Sequence, residues 1–292
     1  MPPRVSLIAS TYRSERFLPA WLENMAAQSV WADAELVVVA NDPDSAEDAL
    51  LRDFAEAHDN VRVLTVEREP LYRSWNRAIM ASNAPLLAIA NVDDLRTPTG
   101  LEAQVRALEA GDGALFAYGG YAVSTEFPPD PSAARPVAAV AFEREEFTRS
   151  MHLGPFFVWR RRSDPATMYF DEQLRVGADF DLAVRLALHG EGVAVEEPLG
   201  FYYDGGTGLS TGGETQSVEL AVLVLRYGIY DKVDPYFVAQ ASEYTIPQIL
   251  MPAGEWLPMT AVVPGYADFL RERRERWWPK PRQRGLKARL AR

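Results

Sequence analysis

Asn91, Asp93 and Asp94 stand directly after the apolar run Leu86-Leu87-Ala88-Ile89-Ala90, and Asp179 and Asp181 stand together later, in Gly177-Ala178-Asp179-Phe180-Asp181-Leu182. A short apolar run without alternation reads as a strand buried on both faces. In open α/β sheets, ligands bind just outside the carboxyl ends of strands. Hard cations such as Mg²⁺ and Mn²⁺ prefer carboxylate oxygens and leave positions open for phosphate oxygens. Asp93 is therefore placed to bridge the chain to a diphosphate through a divalent metal. The alternative is that Asp93 and Asp94 cap the following helix, although Thr97-Pro98 already supplies a good N-cap and first position. Asp179 near a helix start has helix capping as its plain role. Asp181 has Arg185 four residues on, the spacing of a surface or half-buried ion pair.

The elements needed to hold these groups follow from periodicity. Val5–Ala9, Leu36–Ala40, Val61–Val66 and Leu86–Ala90 read as strands. Between them, Ser14 can cap a helix with Leu18, Trp21, Leu22 and Met25 on one face; a second helix runs to about His58; a third carries Leu71, Trp75, Ala78, Ile79 and Ser82. This alternating order predicts a mostly parallel sheet with right-handed crossovers. Further on come a helix over about 98–110, a strand over Ala114–Tyr118, a proline-rich loop from Phe127 to Pro136, a strand at Phe156–Trp159 and a helix over 178–189. Residues 205–213 form a glycine-rich lid-like loop, and Glu214 to Tyr230 reads as a helix. The first strand is followed by Ser10-Thr11-Tyr12-Arg13-Ser14, with no G-x-G-x-x-G, so the usual dinucleotide fingerprint is missing.

With 292 residues, 48% hydrophobic and 24% charged, the chain has the composition of a soluble globular protein. It has no cysteine, which excludes disulfides and thiolate metal sites. No signal pattern and no apolar stretch near the ~20 residues of a membrane span is seen, and a cytoplasmic location is expected. The net charge of −11 is uneven: residues 271–292 hold ten Lys/Arg and two Glu, a net +8, which leaves −19 on the rest. Such an acidic body argues against a nucleic-acid partner. Trp277-Trp278 within the basic tail suits a membrane interface with anionic lipids, a solvated tail or a dimer contact being the alternative.

Taken in order, these residues resemble the inverting family-2 glycosyltransferases of the GT-A fold. Val5 to Arg13 resembles the family opening V-S-V-I-I-P-T-Y-N; Glu35 to Ser45 its second strand and D-D-G-S loop; Trp75-Asn76-Arg77-Ala78-Ile79 its A-R-N-x-G-I helix; Asn91-Val92-Asp93-Asp94 its D-x-D-D; and Gly177 to Leu182 its G-E-D-x-D-L. The resemblance runs from about Val5 to about Ser210. It departs at Asn91, at Ala40-Asn41, at Ala178 and at Trp75, where an arginine is usual and nearby Arg73 can serve instead.

The resemblance implies an α/β GT-A architecture: a Rossmann-like, mostly parallel central sheet flanked by helices, with a mainly helical C-terminal extension. The expected organisation is a glycosyltransferase domain over 1–213 (nucleotide-binding half 1–110, acceptor half 111–213), the extension over 214–270 and the basic tail over 271–292. It implies Asp179 as general base and Asp93 as ligand to Mn²⁺ or Mg²⁺. Thr11, Tyr12, Asn41, Asp42, Arg73, Asn76, Asn91, Asp93 and Asp94 would hold a UDP-, GDP- or dTDP-sugar, with Tyr12 either stacking on the base or packing. Arg160, Arg161 and Arg162 face a phosphate or an acidic acceptor, or form a solvated edge. The implied acceptor is a glycan or a lipid-linked glycan. A catalytically weak sugar-nucleotide-binding or scaffold protein is the other reading, motivated by Asn91 and Ala178. A nucleotidyltransferase is disfavoured because no glycine- and lysine-rich phosphate loop follows the first strand.

Overall fold

The computed structural model describes residues 2–110 and 113–206, residues 219, 223 and 227, and the backbone of 248–250 and 256–258. Seven strands form the central sheet: β1 (Val5–Thr11), β2 (Ala34–Asn41), β3 (Val61–Val66), β4 (Leu86–Ile89), β6 (Ala114–Gly119), β9 (Val158–Arg160) and β10 (Glu191–Val195), in the order β10-β6-β9-β4-β1-β2-β3. Only β9 runs antiparallel to its neighbours. Side chains alternate between two cores because successive Cβ atoms point to opposite faces. Ile8, Val37, Val39, Leu87 and Ile89 face one core; Leu7, Ala9, Leu36, Val38 and Ala88 face the other. Both faces are covered, which is why these strands read as continuous apolar runs.

The helices are α1 (Leu18–Ala26), α2 (Ser45–Ala57), α3 (Leu71–Ala81), α4 (Gly100–Ala110), α5 (Arg144–Arg149) and α6 (Ala178–His189). Leu18, Trp21, Leu22 and Met25 of α1 are buried as their spacing predicts. Ser14 does not cap α1: its hydroxyl accepts from the Tyr12 amide instead, and Phe17 is the N-cap. Asp44 caps α2 by accepting from the amides of Ala46 and Glu47. The Thr97 hydroxyl donates to the Pro198 carbonyl, and α4 starts only at Gly100.

A smaller sheet of β5 (Leu95–Arg96), β11 (Gly200–Tyr203), β7 (Tyr121–Ser124) and β8 (Arg135–Val137) packs beside the first. It is largely illegible in the sequence because its strands have only two to four residues. In the C-terminal extension, Glu219, Leu223 and Tyr227 are helical, and β12 (Gln248–Leu250) pairs antiparallel with β13 (Trp256–Pro258). Residues 207–213 of the glycine-rich loop and the basic tail lie outside the described residues. No helix among the described residues is long and apolar enough to cross a membrane.

Candidate active site

The chain leaves β1 toward β2 and β3, then returns through α3 to place β4 on the other side of β1. The carboxyl ends of β1 and β4 therefore flank a topological switch point, where open α/β sheets bind ligands. Thr11-Tyr12 and Asn91-Val92-Asp93-Asp94 emerge there, with Asn41-Asp42 one strand further along. Arg13 and Asp42 both adopt left-handed backbone, at φ 52° and 51°. Positive φ is uncommon for residues other than glycine, and strain of this kind clusters at functional turns.

Thr11 is fully buried, turned toward Glu47 of α2. Burial holds the Glu47 carboxylate above its ordinary range, with the Thr11 hydroxyl and the Arg13 amide opposing. Tyr12 is half-buried, and the Arg68 guanidinium lies 3.5 Å from its ring centroid, a cation–π contact. Asn41 is buried and links β2 to the next loop: its amide donates to the Glu69 carbonyl at 2.8 Å and accepts from the Glu69 amide at 2.9 Å. Asp42 is exposed. Glu69 also accepts from two Arg77 nitrogens, Nε at 3.0 Å and Nη2 at 2.8 Å, and pairs with exposed Arg73 at 3.4 Å. Burial pushes the Glu69 carboxylate up, but Arg77, Ser74 and Arg73 outweigh it and hold it below its ordinary range. Asn76 is buried away from this rim, bonded to the amide and carbonyl of Phe170 and to Glu172.

Asp93 and Asp94 have different environments. Asp93 is half-buried; burial raises its carboxylate, its own amide and Arg16 opposing. Arg16 is anchored by donating to the Tyr203 hydroxyl at 2.6 Å. Asp94 is buried, accepting from the Asn91 side chain at 2.9 Å and from the Tyr203 amide at 3.0 Å. Burial, then the neighbouring Asp93 charge, push it to about 8. Asp94 thus joins the β4 loop to β11, while Asp93 is the more exposed carboxylate of the two. Because Asp94 is mostly protonated at neutral pH, Asp94→Asn is expected to leave stability nearly unchanged, the Asn91 amide flipping to match. Asp94→Ala strands the Tyr203 amide and costs about 1–3 kcal/mol. Urea denaturation at pH 7 checks this; an Asn variant as damaged as the Ala variant would refute it.

Among the described residues no three acidic or histidine side chains converge on one point. Asp93 by itself still fits a hard cation that takes most of its oxygens from a diphosphate and water, as Mg²⁺ characteristically does.

Asp179 lies in the first turn of α6. From Ala178 to Ala187 it is the one residue that is not buried. Gly177 is the N-cap, with no side-chain cap bond, so Asp179 does not cap α6; its carboxylate accepts from the Phe180 amide at 2.8 Å. The surrounding protein, by removing it from bulk water, raises it to about 6; the backbone amides and the Tyr72 hydroxyl oppose, and Glu219 adds to the rise. Tyr72, in the first turn of α3, donates to the Val176 carbonyl at 2.5 Å. That contact brings the start of α6 to the same rim as the ends of β2 and β3. Asp181 points the other way, into the interior, where it pairs with Arg185 at 2.8 Å.

The basic run sits elsewhere. Arg160 pairs in register with Leu86, at the amino end of β4, and donates to the carbonyls of Ala114 and Leu108. Arg161 binds the Ala84 and Ile79 carbonyls and the Ser82 hydroxyl. Both lie at the end of the sheet opposite the rim, their guanidinium groups bonded to the chain itself. Arg16, Arg68 and Glu69 are the rim residues that sequence reasoning passed over. Only Glu69 left a signal, its spacing of four and eight to Arg73 and Arg77.

A family model described as glycosyl transferase family 2 matches residues 6–166, more than half of the chain. The chain belongs to glycosyl transferase family 2. Solved structures agree on the GT-A fold. TarS 1-349 of S. aureus is 15% identical at TM-score 0.56, over 82% of this chain and 70% of that one. Its complex with UDP-GlcNAc gives 16% and 0.59, over 82% and 71%. The mannosyltransferase PcManGT of Pyrobaculum calidifontis, in complex with GDP-Man and Mn²⁺, is 18% identical at TM-score 0.50, over 100% and 80%. No curated protein matches the sequence. As a family-2 member the chain is a glycosyltransferase.

Proposed function

We propose that this family-2 member is an inverting glycosyltransferase that moves a sugar from a nucleotide-diphosphate sugar to a hydroxyl of a glycan or lipid-linked acceptor. The observation that carries the reading is Asp179, the single accessible carboxylate on a buried helix, raised to about 6 at the rim that also holds Asp93. A base with a pKa just below neutral is ionised at pH 7 yet still takes a proton readily. The acceptor oxygen bonds to the anomeric carbon as the bond to the diphosphate oxygen breaks, and the hydroxyl proton passes to Asp179. A single displacement of this kind inverts the anomeric centre. Tyr12 and Asp42 line the nucleoside end, and Asp93 would hold Mn²⁺ or Mg²⁺. When bound, that cation would offset charge on the leaving diphosphate. The complexes of TarS with UDP-GlcNAc and of PcManGT with GDP-Man support a nucleotide-sugar donor. On this reading residues 271–292 would draw the enzyme to an anionic membrane surface on the cytoplasmic side.

The test is a panel of UDP-, GDP- and dTDP-sugars with Mn²⁺ or Mg²⁺, scored for nucleoside diphosphate release, with the product anomer read by NMR. Wild type is expected to turn over one donor with inversion, and Asp93→Ala to lose about 10²-fold or more in kcat. Donor binding without turnover in wild type and variant alike would favour the sugar-nucleotide-binding reading. A retained anomeric configuration would refute the single displacement.

A further inference from the structure

The Glu219 carboxylate accepts three consecutive backbone N–H groups, Arg175 at 2.7 Å, Val176 at 2.8 Å and Gly177 at 2.9 Å. These amides lead directly into α6. They precede the helix amides that an N-cap side chain reaches, and the carboxylate of a residue distant in sequence satisfies them. The anion also lies at the positive end of the helix, where negative charge is favoured. Glu219 is not alone in gripping this segment. Leu223 lies against Gly177, its Cδ1 2.9 Å from where a Cβ would stand, so a larger residue there would displace the leucine side chain. Tyr227 donates to the Asp181 carboxylate at 2.6 Å. Residues 219, 223 and 227, each helical and four apart, hold the stretch Arg175 to Asp181 from one side. From the other side Tyr72 holds the Val176 carbonyl, so the Val176 residue is clamped at both its N–H and its C=O. Asp179 lies inside this clamp.

We propose that Glu219 is a positioning residue for Asp179, fixing through three backbone amides the turn that aims the base. This inference rests on the reading of Asp179 as the base. Its consequence is that the aim of the base is set by the C-terminal extension, some forty residues beyond Asp179 itself. The titratable groups facing Asp179 are Tyr72 from α3 and Glu219. The Glu219 charge adds to the proton affinity of Asp179, so its neutralisation must move Asp179 downward.

The experiment uses the full chain as wild type, Glu219→Gln and Asp179→Asn. The Asp179 carboxyl carbon is titrated by ¹³C NMR, its signal assigned by its loss in Asp179→Asn, and amide exchange is followed at residues 175–177. Gln is nearly isosteric, and an unchanged circular dichroism spectrum establishes the fold. Expected in Glu219→Gln are a lower Asp179 pKa and faster exchange at the clamped amides. In the turnover assay, kcat falls about 30-fold with donor KM little changed, the signature of a misaimed group, and the acid limb of the pH profile moves to lower pH. An unmoved pKa or unchanged amide protection overturns the proposal. Turnover that survives in Asp179→Asn refutes the base reading instead, a failure distinct from that of Glu219.

Discussion

Asp179→Asn is expected to remove about 10³-fold of kcat, within the 10²–10⁴ that general-base catalysis contributes, while the chain folds as before. Asparagine keeps the shape and can still accept from the Phe180 amide, but it cannot take the acceptor proton. The wild-type profile should lose activity as pH falls through about 6, the value to which removal from water raises this carboxylate. The stability change has the opposite sign. An acid whose folded pKa lies above its unfolded value of about 3.9 binds its proton more tightly when folded. Its contribution to stability is therefore lost as pH rises through that window, and at pH 7 the ionised side chain burdens the fold. Asp179→Asn should melt at or above the wild-type temperature at pH 7 while nearly inactive. Calorimetry with a steady-state assay checks both together. A variant that keeps a tenth of wild-type kcat, or that melts far lower, would remove Asp179 from the role.

The parallel half of the fold was legible because its inner strands are buried on both faces and each helix shows one apolar stripe. Val5–Thr11 and Ala34–Asn41 fall where apolar runs predict them, the edge strand Val61–Val66 falls where expected although Arg62 and Thr65 interrupt its apolar residues, and α6 spans the predicted residues 178–189. The composition of α6 hid its environment. Phe180, Val184, Ala187 and Leu188 suggest one buried side, yet every residue from Phe180 to Ala187 is buried, because α5, residues 165–167 and Tyr227 pack on this helix as well. Long-range cover of this kind leaves no local period. The same limit applies to β5, β7, β8 and β11, too short to carry an alternation, with β11 paired to β5 and β7 far away in sequence.

At the site, residue type was readable and orientation was not. Asp93 and Asp94 are adjacent acids in one loop, but Asp94 is turned inward onto the Tyr203 amide by the pairing of β5 with β11. Asn76 stands one turn from Tyr72 on the same helix, yet it faces Phe170 rather than the rim. The Arg160–Arg161 pair looked suited to phosphate because nothing local shows that β9 runs antiparallel, which carries its end to the wrong pole of the sheet. Arg16 and Arg68 reach the rim only through tertiary contacts, with the Tyr203 hydroxyl and the Tyr12 ring.

Arg185→Met is expected to destabilise the chain by about 3–5 kcal/mol, the cost of leaving a buried charge without its partner. The same i,i+4 spacing gives two different outcomes in this molecule. Glu102 and Arg106 pair on the surface of α4, with the arginine side chain 71% exposed, and such a pair is worth less than about 1 kcal/mol. Asp181 and Arg185, expected to pair at or near the surface, are both 0% exposed. Their bonds account for the burial. Arg185 reaches Asp181 through two nitrogens, at 2.9 and 2.8 Å, and donates to the carbonyls of Ala166 and Tyr169, while Tyr227 donates to Asp181. Removing the guanidinium strands the Asp181 charge in the interior and frees two carbonyls with no water to replace the donor. A loss of this size lowers Tm by roughly 6–20 °C for a domain of this length. Removing both charges, as Asp181→Leu with Arg185→Met, should recover a large part of it, because a well-packed apolar pair avoids desolvating either ion. Chemical denaturation of the two single variants and the double variant closes the cycle. Additive losses would show that the two side chains do not act as a pair. A Tm shift under about 2 °C for Arg185→Met would mean that water reaches the pair. The helix that carries Asp179 is thus anchored one turn below it by an ion pair that serves the fold, leaving Asp179 as the carboxylate at its mouth.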